Sequence, residues 1–145
     1  MKIMNIDEIM EILPHRKPML LVDEAILEGE DGSIGYYQVK GDEFFLQGHF
    51  PGNPIVPGVI LCEMMAQAAC VIFKDKMNEN VVPVYTGLDK VRFKNMVKPG
   101  DRVCIHTKLT GAHHPLYKLH GEIFVGDKLC TSGDFSFALK TEEGN

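Results

Sequence analysis

Across residues 59–73 (VILCEMMAQAACVIF) Glu63 is the only charged side chain, and Gln67, four residues on, is the only other strongly polar one. Helical spacing puts the two on one face, a turn apart. A carboxylate among apolar neighbours either moves to a higher pKa or finds a partner, and a raised pKa makes it a candidate general acid. The alternative is a structural glutamate satisfied at a subunit contact. Just upstream, Pro57 suits the first helical position, so the amide of Gly58 and those that follow lie among the unpaired donors of a helix N-terminus. A carbonyl oxygen placed there meets several donors and the positive end of the helix dipole, an arrangement that stabilises an enolate-like oxyanion. Easing a tight turn is the commoner use of such a glycine. His49, between Gly48 and Phe50, is close enough in sequence to reach the helix start and can act as a general base near neutral pH.

A second kind of chemistry is electrostatic. Lys90, Arg92 and Lys94 alternate with Val91 and Phe93, so a regular strand puts three positive charges on one face. Such a stripe could dock an acidic macromolecule or simply be a solvated strand face. His113 and His114 read as a turn, and His106 and His120 as polar strand positions at the surface. Cys104-x-His106 lacks the spacing of a closed zinc site, so no metal is expected.

These residues need elements to hold them. Residues 5–13 read as a short amphipathic helix, capped by Asn5, with Ile6, Ile9, Met10 and Leu13 on one face and Pro14 as its stop. Residues 19–27 and 33–40 suit two strands of a hairpin. Residues 41–58 hold four glycines, three prolines and three phenylalanines, which implies an ordered loop packed on the body. The helix runs to Phe73, and strands follow at 84–96, 102–111, 116–125 and 128–139. The fold class is therefore α+β: a helix apolar almost all round, wrapped by a curved antiparallel sheet. One sheet covers one side only, and the uncovered side and sheet edges predict a twofold dimer.

The 145 residues amount to one domain, expected over 1–140 with a polar tail at 141–145. With 45% hydrophobic and 24% charged residues, neither a disordered nor a collagen-like chain fits. A net charge of −5 argues against nucleic acid and anionic membrane as partners. Four scattered cysteines and an acidic N-terminal stretch point to a cytoplasmic protein with reduced thiols. Residues 55–73 approach membrane-spanning length, but Pro57, Gly58, Glu63 and Gln67 make a buried helix the better reading.

LPHRKPMLLVD (13–23), GHFPGNPIVPGVILCEMMAQAA (48–69) and GLDKVRFKNMVKPGD (87–101) resemble, in order and spacing, the (3R)-hydroxyacyl-[acyl-carrier-protein] dehydratases of type II fatty acid synthesis. The resemblance implies a hotdog fold, in which a long helix is wrapped by an antiparallel sheet, with dimers pairing into one extended sheet and three dimers forming a hexamer. It implies dehydration of a (3R)-3-hydroxyacyl thioester to the trans-2-enoyl thioester, with no metal or redox cofactor. His49 matches the family's catalytic histidine and Glu63 its catalytic acid, the two coming from opposite subunits. Gly58 matches the glycine whose amide contacts the thioester carbonyl, and Gln67 a residue that helps position a water or the β-hydroxyl. An acyl tunnel along the helix has Phe50, Ile60, Met64 and Met65 as candidates by location, with core packing their default role. Lys90, Arg92 and Lys94 become docking residues for the acidic acyl carrier protein. Pro14-His15-Arg16 is either structural, at the start of the first strand, or lines the carrier entrance. Lys17, Met19, Cys62, Met64 and Met65 depart from the residues usual in the family. Two alternatives are a hotdog thioesterase, using its carboxylate to activate water, and a non-catalytic acyl-carrier binding subunit.

Overall fold

The computed structural model describes residues 2–48 and 52–141. The first helix, α1 (Ile6–Ile12), opens on the expected cap: Asn5 accepts from the Glu8 amide at 2.9 Å, and the Glu8 carboxylate accepts from the Asn5 amide at 3.1 Å. Ile9 and Leu13 face the core. β1 (Glu24–Glu28) and β2 (Gly32–Gln38) form the expected hairpin, but β1 starts five residues later than the 19–27 reading. Leu20, Leu21 and Val22 are buried. The Leu21 amide, however, donates to the Gln67 side chain at 2.7 Å instead of to a neighbouring strand. The Met19 and Leu20 amides bond the Arg16 carbonyl in a turn, so the segment is apolar without joining the sheet until the Asp23 amide reaches Tyr36.

Within the described part of the 41–58 loop, Phe45 and Leu46 are buried in a 3₁₀ turn (Phe44–Leu46). The Glu43 carboxylate accepts from Tyr37 Oη and from the amides of Lys40 and Gly41, which orders the turn. The central helix, α2 (Gly58–Cys70), runs on into a 3₁₀ turn (Val71–Phe73). Pro57 is its N-cap (φ −58°, ψ 142°), one position earlier than expected, and its carbonyl accepts from the amides of Ile60 and Leu61. Between Leu61 and Cys70 every residue but Glu63 is buried.

The remaining strands are β3 (Val81–Phe93), β4 (Arg102–His113), β5 (Leu116–Val125) and β6 (Lys128–Thr141). One antiparallel sheet of six strands results, in the order β1-β2-β4-β5-β6-β3. The expected tail at 141–145 reduces to Thr141, the last residue of β6, with 142–145 outside the described residues. α2 lies across the sheet, its closest approach set by glycine: a Cβ on Gly35 would sit 2.9 Å from Ala68 Cβ. Met64, Met65, Ala68 and Ala69 pack with Ile105, Leu119, Ile123, Phe135 and Phe137 into the core. This is the expected wrapped helix.

β3 forms one margin of the sheet and pairs only with β6 among the described residues. Val84, Leu88, Phe93 and the following Met96 are exposed there. Its register breaks twice, between Tyr85 and Gly87 and between Asp89 and Arg92, where Lys90 takes a positive φ of 53°. Strict alternation through 90–94 is therefore interrupted. The three cations are exposed, but a regular strand does not align them on one face. Among the described residues no helix is long and apolar enough to cross a membrane.

Candidate active site

Glu63 stands in the second turn of α2 with its side chain 23% exposed. Two donors converge on one of its oxygens. Gln67 Nε2 donates to Glu63 Oε2 at 2.9 Å, and His15 Nε2 lies 3.3 Å from the same oxygen. Gln67 is itself fully buried and fully engaged: its Nε2 also donates to the Met19 carbonyl at 2.7 Å, and its Oε1 accepts from the Leu21 amide. Both amide hydrogens are spent on protein groups, so Gln67 bears on the site through the Glu63 carboxylate.

The sequence reading expected burial to raise the Glu63 pKa. Burial does push it up, but the hydrogen bonds from His15 and Gln67 and the His15 charge outweigh that push and leave the carboxyl below its ordinary value. Nearby groups respond in kind. Burial and the Glu63 charge push the Cys70 thiol up to about 12, and burial followed by the charges of Cys62, Glu63 and Cys70 raises the Tyr85 phenol. The Tyr85 hydroxyl donates to the Cys62 carbonyl, tying β3 to α2 one residue before Glu63. Neither thiol is a nucleophile at neutral pH.

A cavity of about 300 Å³ opens beside these groups, lined by His15, Glu63, Ala66, Gln67, Cys70, Pro83, Val84, Tyr85 and Phe137. His15 was not among the expected site residues. The only signal for it was a histidine placed directly after a helix-stopping proline, in a tripeptide whose role stayed open between structure and carrier entrance. A second, larger cavity of about 600 Å³ lies at the α2 N-terminus, where Ile55, Gly58, Val59, Phe93 and Met96 contribute to its walls. Here the Phe93 ring packs directly on Gly58, so an added Cβ would lie 2.7 Å from its Cε1. The Gly58 and Val59 amides precede the first bond of the helix ladder.

Among the other candidates, His49 and Phe50 lie outside the described residues. Ile60 is half-buried against the core, while Met64 and Met65 are fully buried and line neither cavity. Lys90, Arg92 and Lys94 are exposed, and none forms an ion pair among the described residues; Lys94 borders the larger cavity. His120 is half-buried and bonds Asp134 at 2.8 Å, and His106 packs edge-on against Phe124, so these two are partnered strand residues. No cluster of three potential metal ligands occurs among the described residues.

Comparison with known proteins fits this geometry. The fold resembles the dehydratase heterocomplex ApeI:P from Xenorhabdus doucetiae, with a TM-score of 0.82 at 22% identity, covering 94% of this chain and 93% of that one. A fluoroacetyl-CoA-specific thioesterase, FlK, shares the fold at a TM-score of 0.67 and 13% identity, covering 81% of this chain and 98% of that one. In sequence, the chain is 41% identical over 137 residues to the 3-hydroxyacyl-[acyl-carrier-protein] dehydratase FabZ of Petrotoga mobilis, covering 94% of this chain and 99% of that protein. It is 43% identical to the FabZ of Natranaerobius thermophilus, covering 93% and 96%. Residues 13–134 match the FabA-like domain family. With a hotdog fold, a tethered glutamate on its central helix and relatives of this kind along nearly its full length, the chain belongs to the FabA-like family, among the FabZ-type dehydratases.

Proposed function

We propose that the protein carries out the reaction for which its relatives are named, dehydrating (3R)-3-hydroxyacyl groups on acyl carrier protein to trans-2-enoyl groups in fatty acid synthesis. The observation that carries this reading is the Glu63 carboxylate, held by two donors at the mouth of a cavity in a FabA-like chain. His49 removes a proton from C2, and the amides at the α2 N-terminus, Gly58 first, hold the oxygen of the thioester carbonyl as negative charge develops on it. The C2–H electron pair becomes the new double bond as the C3–O bond breaks. With its carboxyl below the ordinary range, Glu63 is ionised at neutral pH, which suits it to accept a hydrogen bond from the C3 hydroxyl and orient it. The proton that His49 takes from C2 is then available to complete the departing water.

The reading includes a dimer in which the His49 of one subunit meets the Glu63 of the other. The β3 edge, which has no second strand partner among the described residues and exposes Val84, Leu88, Phe93 and the following Met96, supports it. Three such dimers make a hexamer. Lys90, Arg92 and Lys94, exposed on an otherwise acidic chain, receive the carrier protein, and four free cysteines suit a cytoplasmic setting. The test is incubation with 3-hydroxyacyl carrier proteins of several chain lengths, followed by mass spectrometry. Loss of water is expected at one length or more; folded protein that yields none at any length overturns the assignment. The likeness to a thioesterase fold makes hydrolysis the competing outcome, recognised by free thiol in place of an enoyl thioester absorbing in the ultraviolet.

A further inference from the structure

We propose that His15 is a positioning residue for the elimination, its Nε2–H fastening Oε2 of Glu63 so that Oε1 is left to meet the substrate hydroxyl. The inference rests on the dehydratase reading above and adds to it a third functional side chain.

The hydrogen-bond geometry comes first. His15 and Gln67 both reach Oε2, at 3.3 and 2.9 Å, whereas Oε1 has no hydrogen bond among the described residues. An ionised carboxylate only accepts, so the hydrogen between the two groups belongs to Nε2. The other ring nitrogen agrees: Nδ1 is buried and has no partner among the described residues. A proton on Nδ1 would be a buried donor with nothing to receive it, which favours the tautomer protonated at Nε2.

Backbone placement is equally constrained. The Arg16 guanidinium donates to the carbonyls of Met10, Leu13 and His15, closing off the end of α1. Four and six residues after His15, Met19 and Leu21 are stapled to Gln67 on α2. His15 is thus carried by a segment anchored on both sides, the kind of support that holds a catalytic group to within a fraction of an ångström. A histidine kept for packing alone has no reason to leave Nδ1 orphaned while aiming Nε2 at the one carboxylate on the central helix.

The groups facing Glu63 are His15 from the segment after α1, Cys62 and Cys70 from α2, and Tyr85 from β3. Burial raises both thiols and the phenol, so among these groups His15 is the one that favours the ionised form of Glu63, through its Nε2–H.

The experiment compares wild type, His15→Ala and His15→Gln by steady-state kinetics on a 3-hydroxyacyl carrier protein across about pH 5 to 9, with thermal melts as a control for folding. His15→Ala is expected to lower kcat by ~10- to 100-fold with KM nearly unchanged, because orientation and not affinity is lost. The acidic limb of kcat/KM should move to higher pH, since Glu63 loses a donor that favours its ionised form. His15→Gln keeps an N–H within reach of the same oxygen and should recover most of the loss. An unchanged kcat and an unmoved limb in folded His15→Ala, or no recovery in His15→Gln, overturns the proposal. Should His15→Ala not fold, nitrogen NMR of the wild type decides: a proton on Nε2 of His15 supports the assignment, and a neutral ring protonated at Nδ1 rejects it. A wild type that dehydrates nothing speaks against the enzyme reading instead, and the NMR result still reports on His15 itself.

Discussion

Glu63 is the residue where cost and use meet. Replacing it by glutamine keeps the volume and removes the charge, so turnover should fall by about 10²-fold or more in a protein that still folds. Its pKa also links stability to pH. A carboxyl whose folded pKa lies below the unfolded value of about 4.3 contributes stability above that value and loses it as pH falls through the folded pKa. Denaturant unfolding at about pH 7 and about pH 3 should therefore show a decrement on acidification that is smaller in Glu63→Gln. Glu63 and Gln67 were legible because a lone carboxylate and a lone amide at helical spacing contrast with everything around them. The direction of the pKa was not, because composition reveals burial but not the partners that oppose it. His15 lies 48 positions before Glu63, and no local periodicity connects the two.

At the scale of elements, the glycines decide how near the layers come. Gly58→Ala drives a Cβ to within 2.7 Å of the Phe93 ring, which must swing away from the α2 N-terminus. Because Phe93 is exposed and its ring can move outward, the cost falls at or below the low end of the roughly 1–3 kcal/mol typical of overpacking. Chemical denaturation should register that loss, and Phe93→Ala in the same chain should recover part of it by removing the obstacle. Strand β5 was readable to its last residue, since His114-Pro115 and Gly126-Asp127 bracket it with turns, although Gly111–His113, expected in the first turn, extend β4 instead. β3 was not: its bulges arise from pairing with β6, and nothing in the run of residues 84–96 announces where the register slips. Residues 19–23 misled for a related reason. Leu20, Leu21 and Val22 are as apolar as a strand, but the Arg16 carbonyl takes the Met19 and Leu20 amides and a side chain on the helix takes that of Leu21, amides that strand partners would have taken.

The whole molecule raises the question of assembly. If each reaction centre draws His49 from one subunit and Glu63 from the other, His49→Ala and Glu63→Ala proteins are each inactive alone but complementary when mixed. After subunit exchange, half of the dimers are mixed and each holds one intact centre, so about a quarter of wild-type activity should return. No recovery after demonstrated exchange would place both groups in a single subunit. Carrier docking is separable from this. Reversing Lys90, Arg92 and Lys94 to glutamate should raise KM for a carrier-bound substrate and leave a short carrier-free thioester unaffected, and the gap should narrow in high salt. An equal effect on both substrates would assign the three cations to some other task.

The hydroxyl of Tyr85, seated on the backbone of Cys62, joins the outermost strand to the turn of the helix that bears the carboxylate. Whatever steadies that strand from outside, a neighbouring copy above all, also steadies the acid's footing. On the proposed two-subunit centre a lone subunit is then handicapped twice, lacking its neighbour's imidazole and holding its own glutamate less firmly, so that dilution should erode catalysis ahead of any loss of fold.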